Sequence, residues 1–300
     1  MKPILTTLLI ALLTACSSEK HESKDNSPAV DLTELKEVGD LYCELSAEDY
    51  QARGYVHSKC DGSGFTSLYS LRCDADLDVF TKDRKLYRSP THDCLSAGES
   101  KAESSRDMVL MRAVSSWFAK DEAWLNEFIS FVTDNNYQFC NHDGSLDGRS
   151  RCVMTPRLYR LLVDMKAKMS GVDLTTKNVD LLPEKVGFAA HLEALRIWLE
   201  GQVYGEISGT DLSILKAHAD RVPDNCVFQA AYHRYLDGDM SSPMQILAAY
   251  PKDRLPNTND YCTEYKWQRD PGSDGQPCEP YSEHSGTDFN TCLKMVEAKP

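Results

Sequence analysis

The sequence predicts a mainly α protein of packed antiparallel helical hairpins, with a small disulfide-rich β-containing N-terminal subdomain. Three observations predict it. Apolar residues recur at helical spacing from about Ser104 to Pro251, in stretches bounded by Ser, Thr, Pro and Gly. The stretches are joined by a few residues each, which makes successive helices antiparallel neighbours. Between residues 39 and 100 the pattern shifts to near alternation, and Cys43, Cys60, Cys73 and Cys94 fall inside it.

Taken in chain order, residues 1–15 combine Lys2 with an apolar run from Ile4 to Leu13. The run is too short to span a bilayer, which takes about 20 residues, and has the length of a signal-peptide core. Residues 16–38 read as a flexible tether, because Ser17 to Val30 carry almost no large apolar group to offset their ordering entropy. A short helix is expected over residues 31–38. In the 39–100 subdomain, residues 64–72 read as a strand. Leu77, Val79 and Tyr87 mark a second strand region, interrupted by Thr81-Lys82-Asp83-Arg84, which can turn a hairpin.

The helical body covers residues 104–250. Ser104-Ser105-Arg106-Asp107 has the form of a capping box, followed by Met108, Met111, Val114 and Phe118 on one face. A second helix carries Trp124, Leu125, Phe128, Ile129 and Val132. The third has Thr155 as N-cap, Pro156 in its first turn and Gly171 at its exit. The fourth is expected over residues 184–200, with Phe188, Leu192, Leu195 and Leu199 inward and Gly201 closing it. A fifth begins near Thr210 and stops before Pro223, a sixth runs from Asn225 to Gly238, and a short seventh carries Met244, Ile246 and Leu247. Residues 251–300 form a cysteine-containing loop region and a short C-terminal helix, starting at Ser285 or Thr287 and packed on the body.

The chain has 33 basic and 46 acidic residues, a net charge of −13. That balance repels nucleic acid and anionic headgroups, so neither is expected as a partner of the folded part. Besides Cys16 there are ten cysteines: Cys43, Cys60, Cys73, Cys94, Cys140, Cys152, Cys226, Cys262, Cys278 and Cys292. An even number without any Cys-x-x-Cys pair favours disulfides over a metal site. Proximity along the chain suggests Cys140–Cys152, Cys73–Cys94 and Cys43–Cys60.

Several constellations have oxygen or imidazole ligands at suggestive spacing. Asp143-Gly144-Ser145-Leu146-Asp147-Gly148 matches the first half of a calcium loop, but its twelfth position is Met154, where a bidentate Glu is needed. A turn closed by Cys140 and Cys152, in which Asp and Gly tolerate unusual backbone angles, is the favoured reading. Asp74, Asp76 and Asp78 would share one strand face, a solvated one in the simpler reading. His284, Ser285 and Asp288 lie within five residues, yet triads are assembled from distant segments, and a turn capping the last helix suffices. His191 and His233 lie on helices without zinc spacing. Trp198, Trp267, Tyr261 and Tyr265 could stack on sugar rings or fill a core. No metal or other cofactor is expected. Asp107, His284 and Asp288 are the residues to test if the body is an enzyme.

Three resemblances follow from these residues. Leu13-Thr14-Ala15-Cys16 resembles the lipobox of bacterial lipoproteins. It implies cleavage before Cys16, acylation of that residue with palmitate-type chains, and anchorage in the cell envelope. Ser17 in place of Asp is compatible with the outer membrane more than the inner, with the body in the periplasm or at the surface. Pro223-Asp224-Asn225, Phe228, Ala231, Tyr232, Tyr235 and Gly238-Asp239 resemble half of a tetratricopeptide-type repeat. No copy appears at the 34-residue period, so a similar helical hairpin is expected over residues 210–250, not an array. Ser105-Arg106-Asp107 is similar to the mouth of some toroidal all-α carbohydrate-active enzymes, which implies an acid or base role for Asp107. The expected function is a membrane-anchored envelope lipoprotein acting as a non-enzymatic binding or scaffolding module for a protein, peptide or glycan. The alternative is an all-α enzyme on envelope or extracellular polysaccharide.

Overall fold

The computed structural model describes residues 30–54, 62–92, 104–140, 152–174, 190–255 and 286–298. They are mainly helical, with one two-stranded sheet. Helix α1 (Leu32–Arg53) begins at Asp31, whose carboxylate accepts from Thr33 N at 2.8 Å, and ends at left-handed Gly54. The short helix expected over residues 31–38 is therefore 22 residues long. Its buried residues Leu35, Val38 and Tyr42 recur every three to four positions, but the acidic residues between them obscure the period.

Helix α2 (Gly62–Tyr69) replaces the strand expected over residues 64–72. All eight of its residues are buried, so no polar face exists to reveal a period of 3.6. It lies along α3 (Arg106–Ala119). A Cβ on Gly64 would come 2.7 Å from Met111 Sδ, and the Ser70 and Ser115 hydroxyls are 2.6 Å apart. Residue numbers rise together along this contact, so α2 and α3 run parallel.

Between them lies the hairpin of β1 (Thr81–Lys82) and β2 (Lys85–Leu86), antiparallel, with Thr81 opposite Leu86. Its two-residue turn, Asp83-Arg84, has φ of 52° and 66°, the left-handed pair that suits a twisted hairpin. Asp74, Asp76 and Asp78 are not on a strand. Asp76 instead caps the backbone N–H of Asp78 at 2.9 Å, ahead of a 3₁₀ turn (Asp78–Phe80). The expected capping box does not form either: Ser105, not Ser104, is the N-cap of α3, and its side chain makes no capping hydrogen bond.

The remaining helices follow the expected order: α4 (Glu122–Asp134), α5 (Pro156–Met169), α6 (Ala190–Tyr204), α7 (Gly209–Arg221), α8 (Cys226–Leu236), α9 (Ser241–Ala248) and α10 (Thr287–Glu297). Side-chain caps set four of the starts, with Asp121, Thr155, Ser208 and Asn225 each accepting from a first-turn amide. Gly201 does not close α6, which continues to Tyr204. It is glycine because the Tyr235 ring of α8 rests on it, pinned by a 2.8 Å hydrogen bond from its hydroxyl to Trp198 O. A Cβ at residue 201 would overlap that ring. Gly201→Ala should cost about 1–3 kcal/mol in urea unfolding; a loss below 0.5 kcal/mol, on the order of an ordinary surface change, would show that the ring moves freely.

Helix α10 closes the fold by packing on α1, α2, α8 and α9. Phe289 meets Tyr42 and Tyr250 edge-on, with ring centroids at 5.0 and 5.3 Å. Arg234 of α8 donates to the last-turn carbonyls of Met295 and Val296, both at 2.7 Å, a cation at a helix C-terminus. Arg72 ties α1 to α10 through Asp40 (3.0 Å) and Glu297 (2.8 Å). Residues from α1 through α10 share a single hydrophobic core.

Three disulfides join described residues: Cys43–Cys73, Cys140–Cys152 and Cys226–Cys292. Cys140–Cys152 is the pair expected. The other two expected pairs are corrected, since Cys43 bonds Cys73. The fourth turn of α1 lies against the exit of α2, where the Tyr69 hydroxyl donates to Cys43 O at 3.3 Å, so packing, not chain distance, brings the thiols together. Cys60, Cys94, Cys262 and Cys278 lie outside the described residues.

Candidate functional site

Two groups of polar side chains stand out in the interior. The first joins α5, α6 and α7. Arg157 sits in the first turn of α5 and donates Nε and Nη2 to the two Glu200 oxygens at 2.7 and 2.6 Å. Its Nη2 also reaches both Asp211 oxygens at 3.1 Å. Arg196, one turn before Glu200, donates to Glu200 Oε2 at 2.7 Å and lies 3.6 Å from Asp211 Oδ1. Asp211 is held by a reciprocal cap: Ser208 Oγ donates to Oδ2 at 2.8 Å and accepts from Asp211 N at 3.0 Å. All four charged groups are buried and their charges cancel. Burial alone would lower the Arg157 pKa; the Glu200 and Asp211 contacts outweigh it and hold it above the ordinary value. Beside this quartet, Asp164 accepts from Arg160 Nε at 2.7 Å and from the Tyr204 hydroxyl at 3.1 Å. Burial first, then Asp164, raise the Tyr204 pKa.

The quartet escaped sequence reading although two signals were present. Arg196 and Glu200 have helical i,i+4 spacing. A cation in the first turn of a helix, as Arg157 is, opposes the helix dipole and therefore calls for a carboxylate partner. What the quartet can do is lock three helices in register. Both carboxylates are saturated by guanidinium groups, so neither is available as an acid or base.

The second group lies at the start of α3. Asp107 is half-buried in the first turn, and α6 packs across α3 so that His191, its second residue, feels the Asp107 carboxylate. Burial pushes the His191 imidazole from 6.5 down to about 4, against the pull of Asp107. His191 is thus neutral at pH 7. The unfolded chain binds this proton at higher pH than the folded one, so stability is full above pH 6.5 and falls as pH drops towards 4. Allowing for the side chain's remaining exposure, His191 should account for about 2 kcal/mol lost between pH 7 and pH 4. Urea unfolding of the parent and of His191→Gln checks this: the variant should lose that much less on acidification, and equal losses would refute it.

Asp107 and His191 are brought together, but the other sequence-predicted residues are not. Asp288 is buried in the first turn of α10, accepting from Tyr250 at 3.2 Å. His233 pairs with Asp237 at 3.6 Å on α8, and Glu193 pairs with His218 at 2.9 Å. Trp198 is core, stacked on Phe118 at 5.1 Å. Trp117 and Trp124 are buried as well. His284, Ser285, Trp267, Tyr261, Tyr265, Cys16 and the Asp143–Asp147 loop lie outside the described residues. Among the described residues, no group of three or more His, Cys, Asp and Glu is placed to hold a metal ion, and no helix is long and apolar enough to cross a membrane.

Fold and site together define a mainly α, disulfide-bonded protein with a charge-locked interior and an acidic group where α3 begins. No family model, curated protein or solved structure matches the chain.

Proposed function

We propose that the protein is a lipoprotein of the cell envelope, anchored through acylated Cys16, whose helical body is a non-enzymatic binding or scaffolding module. The anchor rests on Leu13-Thr14-Ala15-Cys16 after a short apolar run, and Ser17 favours the outer membrane. The disulfides support an oxidising compartment. One observation carries the binding-module reading: Trp117, Trp124 and Trp198 are used in the core, not gathered with Asp107 into a substrate cleft. Packed helical hairpins offer a rigid surface for an envelope protein, a peptide or a glycan. The test is metabolic labelling with palmitate in the producing cells. Label should enter the parent and be absent from Cys16→Ser, which should leave the membrane fraction. Unlabelled parent protein would overturn the anchor.

The Asp107–His191 juxtaposition favours a second reading, an all-α enzyme on envelope or extracellular polysaccharide with Asp107 as acid or base. Release of new reducing ends from envelope polysaccharide, lost in Asp107→Asn, would establish it in place of the first; no release by the parent would remove it.

A further inference from the structure

Among the disulfides of the described residues, Cys73, Cys140, Cys152, Cys226 and Cys292 are buried, and Cys43 alone is half-buried. The Cys43–Cys73 bond therefore runs from the surface, at the fourth turn of α1, to the interior, at the exit of α2. A disulfide is opened by a thiolate that approaches one sulfur in line with the bond, so access selects both the sulfur attacked and the sulfur released. At this bond the sulfur open to attack is that of Cys43, and the sulfur released is that of Cys73.

The surroundings of the released sulfur suit a thiolate. Asn290 of α10 is 0% exposed and directs Nδ2 at both sulfurs, 3.5 Å from Cys73 Sγ and 3.7 Å from Cys43 Sγ. Nδ2 also lies 3.4 Å from Gly39 O, which fixes the donor end of the amide on this side. Such an N–H binds a neutral disulfide weakly and a thiolate well, because a charged acceptor strengthens a hydrogen bond. Arg72, next to Cys73 in the chain, adds a buried Nε–H without a hydrogen-bond partner. Its other nitrogens are held by Asp40 at 3.0 Å and Glu297 at 2.8 Å, so it supplies a donor and no net charge. Both side chains crowd the bare α-carbon of Gly39, where a Cβ would lie 3.1 Å from Arg72 Nε and 2.7 Å from Asn290 Oδ1. A buried donor left unpaired costs about 1–3 kcal/mol, and opening the bond creates an acceptor in this cluster.

The fold does not rest on this bond alone. Helix α1 is also held by Tyr42, whose hydroxyl donates to Pro251 O at 2.6 Å and whose ring meets Phe289, and by the Lys36–Glu297 ion pair at 3.3 Å.

We propose that Cys43 is a site of thiol exchange, modified by an external thiol while the protein stays folded. The attacking thiolate forms a bond to Cys43 Sγ and breaks the bond to Cys73 Sγ. Cys73 Sγ leaves with the electron pair, accepts a hydrogen bond from Asn290 Nδ2 and later takes a proton from water. The product is a mixed disulfide at Cys43 and a free thiol at Cys73. A second thiol on the attacking molecule completes the reduction and closes to a disulfide itself. Neither the Cys16 anchor nor the binding-module reading is needed for this site.

The test uses the full-length oxidised protein without denaturant. It is exposed to excess reduced glutathione, quenched in acid at intervals, alkylated in denaturant and mapped by mass spectrometry. Glutathione should appear on Cys43, together with an alkylated Cys73, at least about 10-fold sooner than on Cys140, Cys152, Cys226 or Cys292, since access limits the rate at the buried bonds. Far-UV circular dichroism should stay unchanged meanwhile. Asn290→Leu should slow the Cys43 adduct about 10-fold, the low end for a hydrogen bond to a charged group. A variant that only loosened the fold would react faster, so the direction of the change separates the two effects. Equal rates at the three bonds, no adduct at Cys43, glutathione first on Cys73, loss of helicity with the adduct, or no slowing in Asn290→Leu would each overturn the site.

Discussion

Arg157→Met should lower the stability of the protein by about 3–5 kcal/mol, the largest loss expected from any single substitution here. The side chain makes four hydrogen bonds to two buried carboxylates, Glu200 and Asp211, from two other helices. Methionine fills much of the same volume, so the effect is not a cavity. It removes one of two positive charges and leaves two carboxylates to share Arg196. A buried pair costs nearly as much to desolvate as it returns, but removing one partner leaves the uncompensated cost in full. Arg157→Lys should fail as well, because an ammonium group cannot reproduce the planar fork that meets Glu200 through two parallel bonds. Urea unfolding measures both. A loss under about 1 kcal/mol for Arg157→Met would show that water reaches the quartet and solvates the orphaned carboxylates.

Removing the Cys226–Cys292 disulfide by paired alanine substitution should cost about 4 kcal/mol, close to the first effect. The bond joins α8 to α10 across a sequence separation of 66 residues. Chain entropy of the unfolded state rises with the logarithm of loop length, which gives about 4 kcal/mol here and about 3 kcal/mol for a loop like Cys140–Cys152. That second bond closes 12 residues beside an isolated bridge between Gln138 and Val153. The order of the two losses is therefore the sharper expectation. Equal losses, or a larger one for Cys140–Cys152, would place the stabilisation in local strain and not in chain entropy.

The helical body was legible because its signals are local. Thr155 with Pro156, Asn225, the stop before Pro223 and the start of the last helix at Thr287 each depend on residues within one turn, and the structure has these boundaries within a residue or two. Residues 64–72, expected as a strand, differ for a related reason. A helix buried on every side shows no polar face, and Phe65, Leu68 and Tyr69 with intervening Thr and Ser mimic alternation. Of the candidate site, Asp107 was visible as a carboxylate in a first turn. His191 was visible only as a histidine on a helix, since nothing within its own segment marks Asp107 as its neighbour.

By itself the sequence determined the helical class, the order and most ends of the helices, and the suitability of its cysteines for cross-linking. These depend on period, caps and composition, which act over a few residues. Only the tertiary structure decided that Cys43 meets Cys73, that Arg157, Arg196, Glu200 and Asp211 cancel one another, and that α2 and α3 lie side by side. Apart from the contacts of Arg196, each of these joins residues separated by 30 to 54 positions, through a packing of helices that no local preference encodes; the charged side chains find one another because the buried alternative, an unpaired charge, costs more than the register that satisfies it.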